Sequence, residues 1–274
     1  MISLQSTGVL LGALCLSVTA VAAPDSPEST PPAIKRWVEA RAGSSEPVHW
    51  VSEGAVYDYP SGEKLFGMIG FDSSRVVWPE QPGEEIVHLT RKTFTYTHPE
   101  TGEVLDSWEG QEVVPIAYPY QLITYRYENN LIYADVEQGR EPNVQHIQSN
   151  DGIIARRIGE DTWAYTASIF LDFPLAEGRR YQAWENYDFF IQPDDGSVDE
   201  PHQMSWQRYG DLPPWAGEGK AIYHLLSWRV ESTDEFPTEL LEWARENKPQ
   251  WLAPPASIEE VRTLQKKGMQ GMGW

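Results

Sequence analysis

The segment from Met204 to Trp228 sets the tightest limit on what this chain can fold into. Met204, Trp206 and Arg208 share one face of an alternating run, Pro213-Pro214-Trp215-Ala216-Gly217 interrupts it, and alternation resumes at Ala221. A period of two marks strands, and the Pro/Gly insertion marks a rigid bend between them. Three tryptophans and an arginine around one bend are costly to solvate separately, and rings gathered in this way line a core or a pocket. An aromatic-lined β structure is therefore expected, although no catalytic signature accompanies it.

The same period runs through most of the chain. Trp50–Tyr59 and Lys64–Phe71 flank Pro60-Ser61-Gly62-Glu63, which reads as a hairpin. Glu85–Thr97 places Phe94 and Tyr96 on one face and Arg91, Thr93 and Thr95 on the other, before a turn at His98–Glu103 leads into Val104-Leu105-Asp106-Ser107-Trp108. Further alternating runs lie at Val113–Tyr118, Gln121–Tyr127, Leu131–Val136, Ile153–Ile158, Thr162–Asp172 and Arg180–Gln192. Strands at this spacing, with turn residues between them and no βαβ rhythm, predict an antiparallel sandwich or barrel. Helical signals are confined to the two ends. Thr30 caps a helix carrying Ile34, Trp37, Val38 and Arg41, stopped by Gly43; Pro237 opens a second through Leu240, Leu241 and Ala244; and Ser257 with Glu260 caps a third that closes at Lys266-Lys267-Gly268. The expected organisation is a leader at 1–23, a linker and helix at 24–45, a β-barrel at 46–232 and helices packing on it at 233–274.

Residues 1–23 contain no Asp, Glu, Lys or Arg, hold an apolar core from Val9 to Val18 and end in Ala20-Val21-Ala22-Ala23, the core and cleavage site of a secretory signal peptide without its usual positive n-region beyond the amino terminus itself. The expected destination is therefore outside the cytoplasm, periplasmic or secreted, with no stable membrane insertion after cleavage. Cys15 is the single cysteine and lies inside this leader, so a mature chain has no thiol for disulfides, nucleophilic catalysis or metal binding. The chain carries 21 basic against 41 acidic residues, a formal charge of −20, which repels phosphate backbones and argues against a nucleic-acid partner. Acidity of this degree can mark disorder, but 12 Trp and 13 Tyr supply the apolar surface that disordered chains lack.

No nucleotide-binding glycine loop, nucleophile elbow or zinc helix occurs, and the six histidines have no ligand spacing, so neither a cofactor nor a metal is expected. Asp194, Asp195, Asp199 and Glu200 lack the spacing of a calcium loop and read more economically as a solvated turn. What remains is polar groups among aromatics. Glu185, Tyr187 and Phe189 share one face of a strand whose other face carries Trp184, Asn186 and Phe190. An acid on a strand covered on both sides needs a partner, and Arg91, Arg126 and Arg208 are available. A structural ion pair explains such an acid more simply, while the functional alternative is a general acid or base in a pocket. Arg208 beside Trp206 suits either anion binding or packing at a barrel rim. His146 is a further candidate, although hydrogen-bonded structure accounts for most histidines on strands. Tyr96 offers a hydroxyl to a ligand, and it equally suits a half-buried strand.

Thr101-Gly102-Glu103-Val104-Leu105-Asp106-Ser107-Trp108 after an arginine-led strand, the Glu185 strand, Ser205-Trp206-Gln207-Arg208 with Pro214-Trp215, and Ala253-Pro254-Pro255 occur in an order that resembles the family known as domain of unknown function 1838. The resemblance spans about Trp50 to Pro255. It implies a mainly β, calycin/lipocalin-like antiparallel barrel and singles out Arg91, Trp108, Glu185, Trp206, Arg208 and Trp215. Where such proteins commonly continue Trp-Met-x-Met-Gly, this chain has Trp215-Ala216-Gly217-Glu218-Gly219, so roles resting on those methionines do not carry over.

Together these readings predict a pocket for a small apolar or aromatic molecule. Glu185, Tyr187 and Arg208 are the candidate catalytic groups, and Arg91, Tyr96, Trp108, Arg126, His146, Trp206 and Trp215 are candidate ligand contacts. Cofactor-free isomerisation, hydration or elimination suits that set; a non-catalytic carrier or sensor is the alternative, and a glycan-binding protein the weaker one.

Overall fold

The computed structural model describes residues 30–44, 46–79, 85–138, 145–148, 152–158, 162–174, 180–193 and 201–267. The proposed leader at 1–23, the linker at 24–29, the acidic turn at 194–200 and the tail at 269–274 lie outside the described residues.

Strands dominate: β1 (Val48–Tyr59), β2 (Lys64–Val77), β3 (Ile86–Thr97), the short β4 (Ser107–Trp108) and β5 (Gln111–Glu112), β6 (Ile116–Glu128), β7 (Leu131–Gln138), β8 (Gln145–Gln148), β9 (Ile154–Ile158), β10 (Thr162–Pro174), β11 (Arg180–Ile191), β12 (Gln203–Asp211) and β13 (Lys220–Val230). Eleven of them form one antiparallel sheet in the order β8-β7-β6-β3-β2-β1-β13-β12-β11-β10-β9, and β4 pairs with β5 in a separate hairpin. The large sheet curls until Ile132 in β7 exchanges backbone hydrogen bonds with Ile153, just before β9. This makes a nearly closed barrel, and the β1–β13 pairing, which joins the chain's first and last long strands, runs unbroken from His49–Val230 to Tyr59–Lys220. Closure hides the backbone groups that an open sheet would leave unpaired.

The strand–bend–strand expected at 204–228 is β12, a 3-10 turn at Pro214–Ala216, and β13. Met204, Trp206 and Arg208 all face the barrel interior, across from Phe189, Tyr187 and Glu185 of β11. The runs at Val113–Tyr118 and Gln121–Tyr127, which read as separate strands, are largely one strand, β6, broken by a bulge opposite β3: Thr90 pairs with Gln121, whereas Lys92 pairs with Tyr118. Tyr118 and Gln121 lie three positions apart and still face the same way, because the bulge absorbs the extra residue at Pro119-Tyr120.

The helices take different places. α1 (Thr30–Ala42) ends at Gly43, whose φ of +79° and N–H to the Glu39 carbonyl form the expected stop. Its apolar face does not lie on the outer wall. Ile34, Trp37 and Val38 enter the barrel and pack on Trp50, Tyr125, Tyr165 and Phe189. Arg41 follows them inside and pairs with Asp72. α2 (Thr238–Asn247) and α3 (Ile258–Lys267) cover the outer wall instead, α2 through Leu240 and Ala244 against Val51, Phe71 and Val230, α3 through Val261 against Leu89 and Leu122. In α3 the Ser257 hydroxyl accepts from the Glu260 N–H, and Glu260 reaches back to the N–H of Ala256.

Candidate functional site

The barrel interior holds two aromatic clusters. The first surrounds the α1 plug; the second joins Val56, Phe66, Met68, Tyr96, Trp206, Trp215, Tyr223 and Leu225, and both touch Tyr187 and Met204. The register explains the second cluster. Phe66, Val56, Tyr223, Arg208 and Glu185 occupy one level across β2, β1, β13, β12 and β11, and Met68, Gly54, Leu225, Trp206 and Tyr187 occupy the next.

Glu185, Tyr187 and Arg208 come together at this junction. The Tyr187 hydroxyl donates to Glu185 Oε2 at 2.7 Å, and Arg208 Nε stands 3.9 Å from Glu185 Oε1. Their side chains are only 12 % (Glu185) and 11 % (Arg208) exposed, so solvent does little to stabilise either charge. Arg208 lies 5.0 Å from the centroid of the Tyr223 ring and 5.3 Å from that of Tyr181, and its Nε has no hydrogen-bond partner among the described residues. The Trp206 indole nitrogen, also buried and without such a bond, lies close enough to favour the ionised carboxylate. Burial nevertheless dominates and pushes the Glu185 carboxyl above its ordinary range, with Tyr187, Lys92 and Trp206 only partly offsetting it. Burial and the adjacent Glu185 charge hold the Tyr187 phenol far above its usual value, and burial pushes Tyr223 up to about 12.

Tyr96 and Trp215 pack in the same cluster, with ring centroids 4.8 Å apart. Trp108 reaches it from the β4–β5 hairpin through an edge contact with Phe66 at 4.9 Å, and stays half-buried. The Trp215 nitrogen is another buried donor without a partner among the described residues. Three buried nitrogens, Arg208 Nε, Trp206 Nε1 and Trp215 Nε1, are thus without a hydrogen bond among the described residues.

Two expected contacts belong elsewhere. Arg91 is on the outer wall, where it donates to the carbonyls of Pro119, Gln250 and Ala253 and pairs with Glu260, fixing the segment between α2 and α3 to the barrel. Arg126 is partly exposed and bound to Asp135 and Glu128. Both sit one position out of phase with the inward residues of their strands, so neither is a contact for an interior ligand. The backbone of His146 pairs with Glu137, and its side chain lies outside the described residues.

Sequence reasoning missed Lys92. It shares the inward face of β3 with Thr90, Phe94 and Tyr96, and its ammonium rests 4.9 Å from the centroid of the Tyr118 ring. The signal was its parity with Phe94 and Tyr96, on a strand otherwise read for Arg91. A further interior polar set binds the plug: Asp72 accepts from Arg41, Ser74 and Thr90, and His88 bridges Ser74 and Tyr125. Among the described residues, no group of three or more His, Asp or Glu side chains is placed to hold a metal ion, and no helix is long and apolar enough to cross a membrane.

These features define a mainly β, nearly closed antiparallel barrel with Glu185 and Asp72, the cations Arg41, Lys92 and Arg208, and aromatic rings in its interior. The chain belongs to the family described as protein of unknown function (DUF1838), whose model matches residues 45–265. The match starts just after α1, so the plug lies outside it. No curated protein and no solved structure matches the chain.

Proposed function

We propose that the barrel binds a small, largely apolar molecule carrying a carbonyl or carboxylate oxygen, and that Glu185 exchanges a proton with it. The carrying observation is the buried Glu185–Tyr187 hydrogen bond with Arg208 Nε and Trp206 Nε1 beside it as donors without a hydrogen bond among the described residues. Such donors stabilise negative charge as it develops on a substrate oxygen, in a site where little water competes. Glu185 takes a proton from the carbon next to the carbonyl and returns it to another carbon, which is a cofactor-free isomerisation; loss of a leaving group instead gives an elimination.

Native mass spectrometry of the protein purified from its source tests binding by revealing a retained molecule. Incubating that molecule with the protein in heavy water then tests the chemistry, since proton exchange at carbon adds mass. Glu185→Gln is expected to lower the exchange rate about 10²–10⁴-fold and to leave affinity within a few fold; undiminished exchange rejects the catalytic role and leaves a carrier or sensor. A glycan platform is disfavoured because two of the three rings it would use, Trp206 and Trp215, are buried at 8 % exposure each, and the third, Trp108, is half-buried with its ring against Phe66. The apolar run from Val9 to Val18 and the small-residue ending at Ala20–Ala23 support export, which N-terminal sequencing of the cell-derived protein checks: a chain starting at Pro24 is expected, and one retaining residues 1–23 rejects cleavage.

A further inference from the structure

The interior charges do not balance. Arg41 and Asp72 form an ion pair, and Asp72 also accepts from the Ser74 and Thr90 hydroxyls, so that carboxylate is saturated. Against Glu185 stand two cations, Arg208 and Lys92. Arg208 faces Glu185 and is packed between two tyrosines, whereas Lys92, half-buried and opposite Asp72 in the β2–β3 register, lies over the Tyr118 ring and forms no hydrogen bond or ion pair among the described residues. An inward ammonium whose neighbouring carboxylate is already taken up by other donors is left without a close ion pair, and withdrawing it from water is costly. Such a group is a site for an anion.

We infer that Lys92 is an anion-binding residue of the interior site and that the ligand carries a carboxylate there, at the end of its apolar body away from Arg208 and Trp206. This rests on the reading of the barrel as a binding site and specifies what it binds. The surroundings supply the rest of the recognition. Two positions along β3 from Lys92, Phe94 stacks with Trp206 at 6.4 Å between centroids, and Trp206 in turn lies against Tyr187, the partner of Glu185. A carboxylate held at Lys92 directs the rest of the ligand toward the Phe94–Trp206 pair and, beyond it, Glu185. The Lys92 charge is felt at Glu185 as well as at Asp72, in keeping with a position between the two.

Calorimetric titration of the full chain with 2-naphthylacetate and its neutral amide, and with decanoate and decanamide, tests this. At least one acid is expected to bind tenfold or more tightly than its amide. In Lys92→Met that preference should collapse to within twofold while the amide binds as before, and Lys92→Arg should restore it. Equal binding of acid and amide by the unaltered protein overturns the role of Lys92 and leaves the binding site standing. Failure of every probe to bind overturns both. Loss of amide binding in a Lys92→Met protein with unaltered near-ultraviolet dichroism shows a packing role and also overturns the inference. Should that variant not fold, Lys92→Gln carries the same comparison.

Discussion

Two interior carboxylates show how local partners decide the state of a buried acid. Asp72 and Glu185 are both withdrawn from solvent, which by itself raises a carboxyl pKa. At Asp72 the Arg41 charge, assisted by Lys92, His88 and the Ser74 hydroxyl, overturns the effect of burial and holds the group well below the usual range. At Glu185 the guanidinium is a weaker partner 3.9 Å away, and burial prevails. The pH dependences therefore have opposite signs. The raised Glu185 value means that its contribution to stability is fully present below the unfolded-state pKa and is lost as pH rises through the folded value; in urea unfolding from pH 4 to 8, the stability of wild type relative to Glu185→Gln should fall with pH. A flat difference rejects the shift. The depressed Asp72 value means the reverse. Asp72→Asn should cost about 3–5 kcal/mol at pH 7 by leaving Arg41 buried and unpaired, and the cost should shrink as pH falls below the ordinary aspartate range. His88, pushed down to about 3 by burial and by Arg41, stays neutral above that pH.

At the scale of elements, β1 and β13 show the tightest approach. A Cβ on Gly54 would stand 2.0 Å from the His224 carbonyl oxygen and 2.7 Å from Leu225 Cα, both backbone atoms that cannot swing aside. Gly54→Ala should therefore cost about 3 kcal/mol or more, read from the urea midpoint, and amide exchange should accelerate first along β1 and β13; a midpoint within error of wild type rejects the clash. Much at this scale was legible in the sequence. Alternation located β1–β3 and β10–β13 and placed Met204, Trp206 and Arg208 on one face, and the helices start at or beside Thr30, Pro237 and Ser257 as read, with the capping box itself seen at Ser257 and Glu260. The bulge in β6 was not legible, because inserting one residue restores the inward phase and the pattern then resembles two strands. Arg91 was misplaced for a related reason. Covering the outer wall with α2 and α3 buries both faces of β3, and alternation alone does not tell an inward arginine from an outward one. The inward face was marked by Phe94 and Tyr96, and Lys92 shares it.

Across the whole molecule, the least legible feature is the most consequential. An amphipathic helix at Thr30–Ala42 is expected to lie on a surface, yet α1 fills one part of the barrel, where the Trp37 ring meets Phe189 edge-on at 4.7 Å and Tyr165 at 5.2 Å. The interior is thus two clusters, one built on α1 and one on the Trp206–Trp215 site, with Tyr187 and Met204 touching both. Truncating Trp37 or Trp215 to alanine should each cost about 3–5 kcal/mol, as for other large buried rings. Because the two rings belong to different clusters, the double variant should equal the sum of the single ones to within about 0.5 kcal/mol, whereas Trp37→Ala combined with Phe189→Ala should depart from the sum by about 0.5–3 kcal/mol. Denaturant unfolding of the single and double variants and wild type measures both cycles. Coupling between Trp37 and Trp215 as large as that between Trp37 and Phe189 would mean a single continuous core, in which the plug could not be altered without disturbing the acid and its donors. Additivity would mean that α1 stabilises the barrel independently of the site, so that stability and ligand recognition can be changed separately.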